Sequence, residues 1–394
     1  MSTGTIASST AWPDSLTPDL LRLVDMPTPY LVTDLDTVAA RYRAFTAAMP
    51  WATAFYAMKC NPAPEILRTL AAEGSSFEVA SLGELRALQA LGVDPATVLY
   101  SNPIKPPAHI AKAAGTGLWR FAFDSPGELA KISMRAPGAA VYVRLLVDDS
   151  TSVFPLAGKF GADVEDAYDL MLLARRLGLR PYGVAFHVGS QCESTGAWRS
   201  AVRTAGELMA RLRPEGIELE MLNLGGGFPA RYLAAEPSIE QIGEVIGSEL
   251  DVLPYRPGLI AAGTGRHLVA ESSVLAATVI GRETRGAENW LYLEVGAHHG
   301  LAESGQAPGG WDYPTLTSLE DHAEVPRLPF ILSGPTCDSS DTFAYGVELP
   351  ATVTVGDVLY FGSAGAYTLP YATSFNGFPP PTPIFVGTVP PARH

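Results

Sequence analysis

The sequence predicts an α/β protein: a (β/α)8 TIM-like barrel followed by a C-terminal all-β domain. Three observations carry this. Short apolar strand-like runs alternate with helical patterns from about residue 30 to 265, the texture after 266 changes to β-branched runs with turn residues, and 394 residues exceed what one core usually supports.

The alternating runs come in order. YLVTDL precedes a helix, TAFYAMK precedes PEILRTLAAEG, FEVAS precedes GELRALQALG, TVLYSN precedes PAHIAKAAGTG, and RFAFDS precedes PGELAKI; AVYVRLL, YGVAFHVGS and LEMLNLGGG continue the series. AAGTGRH (261–267) reads as the end of a further barrel strand. Repeated β-then-α units with short links imply a parallel sheet, and about eight of them imply a closed barrel. Beyond 266, SSVLAATVIGRET, NWLYLEVG, LPFILSG, TVTVGDVLYF and TPIFVGTV read as the strands of a sandwich or barrel. The expected boundaries are 35–265 for the barrel and 1–34 with 266–394 for the β-rich domain, with 150–161 and 305–329 as loops.

Composition excludes several classes. Hydrophobic residues make up 47% and charged residues 17%, which argues against disorder, and no apolar run approaches the span of a membrane helix. The net charge of −14 disfavours nucleic acid. The N-terminal stretch lacks a basic segment followed by an apolar core, so a cytoplasmic location is expected. Cys60, Cys192 and Cys337 are odd in number and far apart, which indicates neither a disulfide framework nor a metal site.

A few residues have the character of chemistry. Lys59 in AFYAMKCNP stands at a strand end, where a partly desolvated lysine suits a Schiff base; a lysine simply emerging to solvent reads the same way. Gly225, Gly226 and Gly227 follow a late barrel strand, where backbone N–H groups commonly bind phosphate, although a triple glycine also makes a flexible turn. Gly265 and Arg266 in AAGTGRH give a second candidate phosphate contact, since arginine forks two donors onto an anion. His187 in AFHVGSQC, with Ser190 three residues on, is either a packing histidine or a flat ring that stacks on an aromatic cofactor. Cys337 and Asp338 in GPTCDSSD gain meaning only if their loop reaches a site.

Taken together, AFYAMKCNP, FEVAS, KFGAD, FHVGSQC, NLGGGFP, Gly265-Arg266, GPTCDSSD and GAYT resemble, in order and spacing, the fold-type III pyridoxal-phosphate decarboxylases, most of all the ornithine/lysine (diaminopimelate) decarboxylase-like branch with its alanine-racemase-like barrel. The resemblance covers roughly residues 27–380. It implies pyridoxal 5'-phosphate as cofactor and decarboxylation of a basic or modified amino acid, as in polyamine biosynthesis. Lys59 would carry the cofactor, His187 would stack on its ring, and Gly225, Gly226, Gly227, Arg266 and Tyr367, with Ser190 nearby, would hold the phosphate. Glu78 and Arg144 would lie near the cofactor. Cys337 would return a proton to the α-carbon and Asp338 would contact the distal amine. Both would come from the neighbouring subunit of a homodimer, with Lys159 and Asp341 paired across the interface.

Two departures qualify the expected substrate and chemistry. The family reads EPGR where this chain has Gly263-Thr264-Gly265-Arg266, so Gly263 replaces the glutamate that pairs with the ring nitrogen. A charge-assisted bond of that kind is worth about 1.5–3 kcal/mol, and Glu271 and Glu294 are the acids that the sequence offers instead. In LYLEVGAHHGLAES, Glu294, Ala297 and His298 stand where bacterial relatives read YLDVGKFGGLAE, making Glu294 and His298 candidate substrate contacts. The alternatives are another reaction of the same carbanion (racemisation, deamination or elimination) and a catalytically silent, antizyme-inhibitor-like binding protein.

Overall fold

The computed structural model describes residues 14–21, 24–232, 236–308, 311–319 and 324–388. The described residues divide into two compact units, one comprising 39–229 with 236–265 and the other those within 14–38, 230–232 and 266–388. The ends of the expected β-rich domain and part of the 305–329 loop lie outside the described residues.

The first unit is a closed parallel barrel. Strand β1 (Tyr30–Asp34) belongs elsewhere, and the barrel starts with β2 (Thr53–Ala57), continuing through β3 (Ser76–Val79), β4 (Leu99–Tyr100), β5 (Arg120–Phe123) and β6 (Ala140–Arg144). A short antiparallel ribbon of β7 (Ser152–Phe154) with β9 (Ser190–Cys192) flanks β8 (Arg180–Ala185), after which β10 (Met221–Asn223) and β11 (Leu259–Thr264) close the barrel onto β2. Phe55, Leu99, Ala122, Tyr142, Tyr182, Met221 and Ala261 pack as a buried cluster. Large and small side chains alternate there, which fills a parallel barrel to the density of a core.

The returning helices start where side-chain oxygens satisfy otherwise orphaned N–H groups. Ser81 accepts from Glu84 N at 3.2 Å, Ser125 from Glu128 N at 3.4 Å and Asp163 from Asp166 N at 2.8 Å, and Ser238 with Gln241 forms a reciprocal capping box. Ser81 and Ser125 follow β3 and β5 by two residues, giving short strand-to-helix turns, whereas Asp163 and Ser238 stand after longer connections from β6 and β10.

A buried ion cluster braces two of these turns. Lys105 Nζ donates to Asn102 O (2.8 Å) and Ala122 O (2.6 Å) and pairs with Glu128 Oε1 at 2.9 Å; Lys131 Nζ meets Glu128 Oε2 at 2.5 Å. Lys105 and Glu128 are almost fully enclosed, and burial brings the Lys105 ammonium down to about 8 despite the carboxylate.

The second unit is a mixed eight-stranded sheet: β12 (Ser273–Arg285), β13 (Glu288–Leu293), β14 (Thr315–Thr317), β15 (Arg327–Ser333), β16 (Thr342–Pro350), β17 (Val358–Phe361), β18 (Thr382–Val386) and β1. The 13-residue β12 organises it. Its first half pairs antiparallel with β1 and β17, its second half with β13, and the register shifts between Val279 and Gly281. β1 also pairs in parallel with β18, and β13 with β15.

Two sequence readings are refined by the structure. YLVTDL heads the alternating runs because every residue of β1 is buried, but its backbone partners are β12 and β18, in keeping with the expected boundary after residue 34, and AAGT at 261–264, read as a further barrel strand, is the eighth. The 150–161 stretch contains β7, whose pairing with the distant β9 no local pattern announces. Among the described residues no helix is long and apolar enough to cross a membrane, and no group of three or more His, Cys, Asp or Glu side chains could hold a metal ion.

Removing one partner of a buried pair strands a charge, at a typical cost of about 3–5 kcal/mol. Glu128→Ala is therefore expected to lower the unfolding free energy by that much, and the denaturant midpoint with it, whereas Lys105→Met with Glu128→Leu recovers most of the loss. Equal midpoints for the two variants would contradict this account.

Candidate active site

The strand ends of β2, β3, β4 and β6, with the segment after β6, line a cavity of about 240 Å³. Lys59 lies in a single 3₁₀ turn, Met58–Cys60, immediately after β2; Met58 and Cys60 are fully buried and pin the turn while the lysine is exposed. Glu78, Glu84, Ser101, Arg144, Lys159 and Phe160 share the cavity lining with it.

Glu78 sits in β3 under strong constraint. Ser101 Oγ donates to its Oε2 at 2.8 Å, the Tyr142 hydroxyl lies 3.0 Å from that Oγ, and the Asn223 side chain hydrogen-bonds the carboxyl as well. Burial pushes the Glu78 carboxyl above its ordinary range, with Lys59 the largest opposing influence. Burial also raises Glu84, whose Oε2 accepts from Ala80 N at 2.5 Å. Arg144 ends β6 with its guanidinium 5.4 Å from the Phe160 ring centroid, and burial lowers its pKa.

His187 lies two residues past β8. Its Nδ1 accepts the Gly189 N–H at 3.1 Å, which leaves the proton of the neutral ring on Nε2. Burial, and then the charges of Lys59 and Arg144, hold its pKa well below the ordinary value. Ser190 opens the ribbon strand β9.

The triple glycine follows the seventh barrel strand and Gly265 follows the eighth, the usual phosphate region of such barrels. Asn223 Oδ1 accepts Gly225 N at 2.9 Å, and Gly263 N donates to Gly225 O at 2.8 Å. Glycine is required here by contact. A Cβ on Gly225 (φ +63°) would collide with the Phe186 carbonyl, one on Gly227 (φ +108°) with the Gly189 carbonyl, and one on Gly226 would come within 3.0 Å of His187 Nε2. A Cβ on Gly265 would approach Cys60 Cβ at 3.3 Å. Such a turn exposes backbone N–H groups to an anion at close range, so the residues present fit a phosphorylated cofactor that carries an aldehyde for Lys59.

In the sheet unit, Arg266 differs from expectation. Its Nη1 donates to Tyr232 Oη and Glu303 Oε2, both at 2.9 Å, and its Nη2 to Glu303 Oε1, with the Tyr367 ring centroid 5.0 Å away. The fork assigned to a phosphate is closed on a buried carboxylate instead, because a guanidinium only 3% exposed needs a counter-charge. Tyr367 adopts a left-handed conformation (φ 63°) and stacks on Tyr371. Glu294 is likewise committed: its Oε1 accepts Thr278 N at 2.8 Å beside the irregularity in β12. Glu271 accepts Arg231 N at 2.9 Å.

Cys337 is exposed, with Asn376 Nδ2 3.6 Å from its Sγ. Asp338 Oδ1 accepts from Ser340 N and Oγ, each at 2.9 Å, which holds the carboxyl below its usual range, and His298 Nε2 lies 3.7 Å from Oδ2. Asp341 is fully buried; Thr336 N and Oγ1 donate to Oδ2 at 3.2 and 2.7 Å, and Oδ1 has no hydrogen-bond partner. Lys159 stays in the barrel unit, its ammonium 5.1 Å from the Phe160 ring centroid.

Sequence reading thus missed Ser101, Asn223 and Glu303. The Asn two residues before the first glycine in NLGGG was the one readable signal, since asparagine commonly caps a backbone turn two residues on; Ser101 and Glu303 act over distances of 23 and 37 residues.

Gly225→Ala is expected to destabilise the barrel by several kcal/mol, since it combines a backbone collision with a strained φ; a thermal melt within a degree of the parent would refute this. Because the folded His187 pKa lies below the ordinary imidazole value of 6.5, the unfolded chain binds the proton first as acid is added. That part of the stability is complete above pH 6.5 and declines below it. Melting of His187→Gln is expected to lose less of its stability below pH 6.5 than melting of the parent, both without cofactor.

A family model described as the pyridoxal-binding domain of pyridoxal-dependent decarboxylases matches residues 35–270. A lysine/ornithine decarboxylase of Selenomonas ruminantium is 38% identical over 356 residues, covering 90% of this chain and 88% of that protein. Antizyme inhibitor 2 of Xenopus laevis is 33% identical over 362 residues, covering 89% and 79%. Among solved structures, the Selenomonas ruminantium lysine decarboxylase in complex with pyridoxal phosphate and cadaverine superposes with a TM-score of 0.85 at 35% identity, covering 94% of both chains.

Proposed function

The chain belongs to the pyridoxal-dependent decarboxylase family, and from that premise we propose that it binds pyridoxal phosphate through Lys59 and decarboxylates a basic amino acid. The single observation that carries this is the joint presence, at one barrel mouth, of an exposed lysine on a rigid turn, a neutral histidine and a glycine turn closed to every side chain. The Xenopus antizyme inhibitor shares the fold, so fold alone does not decide for catalysis; the retained Lys59, Cys337 and Asp338 favour it.

Bound pyridoxal phosphate supplies the electron sink that loss of carbon dioxide from an α-carbon requires. The residues do the rest. Lys59 would hold the cofactor through its aldehyde. The glycine turn holds the phosphate through backbone N–H groups, so the anchoring needs no free arginine. His187, uncharged and fixed by Gly189 N–H, offers its flat face to the cofactor without adding positive charge. Ser190, Arg144, Gly263, Gly265 and Tyr367 are assigned to the surroundings of the cofactor. Cys337 is the proton source for the α-carbon, a role worth on the order of 10²–10⁴-fold. Asp338, an ionised carboxylate, takes the distal ammonium of the substrate, with His298 beside it. Cys337 and Asp338 serve the site of a second copy in a homodimer; the expected pairing of Lys159 with Asp341 across that interface finds no support in Asp341, which is enclosed within its own chain.

Purified protein with pyridoxal phosphate is expected to give a visible absorbance band that borohydride fixes to Lys59, and to release carbon dioxide from lysine, ornithine or arginine. Lys59→Ala abolishes both, while Cys337→Ala keeps the band and loses turnover. Mixing the two inactive variants is expected to restore turnover, because one of the two sites in the mixed dimer is intact. A band without carbon dioxide release, but with solvent deuterium appearing at the α-carbon, would replace decarboxylation by racemisation-like chemistry.

A further inference from the structure

Gly263 is the penultimate residue of β11, and β11 pairs with β2 opposite the side on which β3 carries Glu78. In a parallel barrel, alternate strands contribute inward side chains to one layer, so positions 263 and 78 compete for the same interior space. The competition is visible in the contacts. A Cβ added to Gly263 would lie 2.9 Å from Glu78 Oε1, 3.1 Å from the Gly225 carbonyl carbon and 3.2 Å from its oxygen. The volume over Gly263 is already occupied by the carboxyl of Glu78.

That carboxyl is held from behind. Ser101 Oγ donates to Oε2 at 2.8 Å, and Asn223, which also fixes Gly225 N at 2.9 Å, reaches the same group. The other two candidate acids, Glu271 and Glu294, each accept a backbone N–H of the sheet unit.

We propose that Glu78 is the acid that faces the ring nitrogen of the cofactor, supplying from β3 what a side chain at 263 would otherwise supply from β11. The assignment rests on the reading that this pocket takes pyridoxal phosphate. The proton of the Glu78 carboxyl passes to the ring nitrogen, leaving a carboxylate against a protonated ring, and no other reactant is needed. Burial raises this carboxyl above its ordinary value, which favours the proton-bearing form from which the transfer starts. Position 263 is glycine in consequence, since a second acid there would displace the first.

The test is the nitrogen-15 NMR shift of ring-labelled pyridoxal phosphate, bound at saturation to four proteins whose folding is checked by circular dichroism. The parent is expected to show a protonated ring nitrogen. Glu78→Gln, which keeps shape and removes the transferable proton, moves the shift toward that of an unprotonated pyridine. Gly263→Glu alone weakens cofactor binding at least tenfold, because two carboxyl groups then contend for one space. Glu78→Ala combined with Gly263→Glu regains both affinity and the protonated shift. An unchanged shift in Glu78→Gln, or undiminished affinity in Gly263→Glu, overturns the inference while leaving the proposed function intact. Failure of the parent to bind pyridoxal phosphate overturns that function and this inference together.

Discussion

Close backbone approach at the mouth of the barrel is the constraint on which the candidate site depends. The turn after β10 lies so near the Phe186 carbonyl, the Gly189 carbonyl and the backbone of Gly263 that no side chain fits at 225 or 227. Asn223 locks this approach by capping Gly225 N, and its side chain also binds Glu78, so one buried amide couples the anion-binding backbone to the acid of the pocket. His187 is drawn into the same arrangement through Gly189, whose N–H it accepts. Geometry here is set by polar groups that have exhausted their alternatives, as expected where desolvation penalises every unpaired donor.

Charge balance follows from that geometry. Lys59 and Arg144 bring two cations to the pocket, and their field together with burial strips His187 of its proton while partly opposing the burial that raises Glu78. Burial thus favours the neutral form of both the base and the acid, while the two cations push Glu78 the other way. Elsewhere the barrel resolves burial of charge by pairing, as Lys105 and Glu128 do, and the sheet unit does the same with Arg266 and Glu303. Those two pairs are structural for one reason: both partners are enclosed and each satisfies the other.

Much of this was readable before any coordinates. The barrel, its late glycine turn, the lysine at a strand end and the change to strand texture after residue 266 all follow from local periodicity and from residues with narrow conformational roles. What the sequence left open was of a single kind. β1 has the apolar run of a barrel strand, and which sheet it joins depends on β12 and β18, over 200 residues away in sequence. Arg266 and Glu294 have the chemistry of ligands, and nothing along the chain announces that Glu303 and Thr278 N also engage them.

The sequence by itself determined the architecture and the cast of the site, because hydrophobic period, glycine tolerance and residue chemistry are properties of short segments. Tertiary structure alone decided which groups are engaged and which face the pocket, because that depends on neighbours brought together across the barrel. Position 263 is the clearest case. Read along the chain, its glycine is a missing acid; in the folded barrel, the carboxyl of Glu78 lies 2.9 Å from where a Cβ would stand, so the space is filled from another strand.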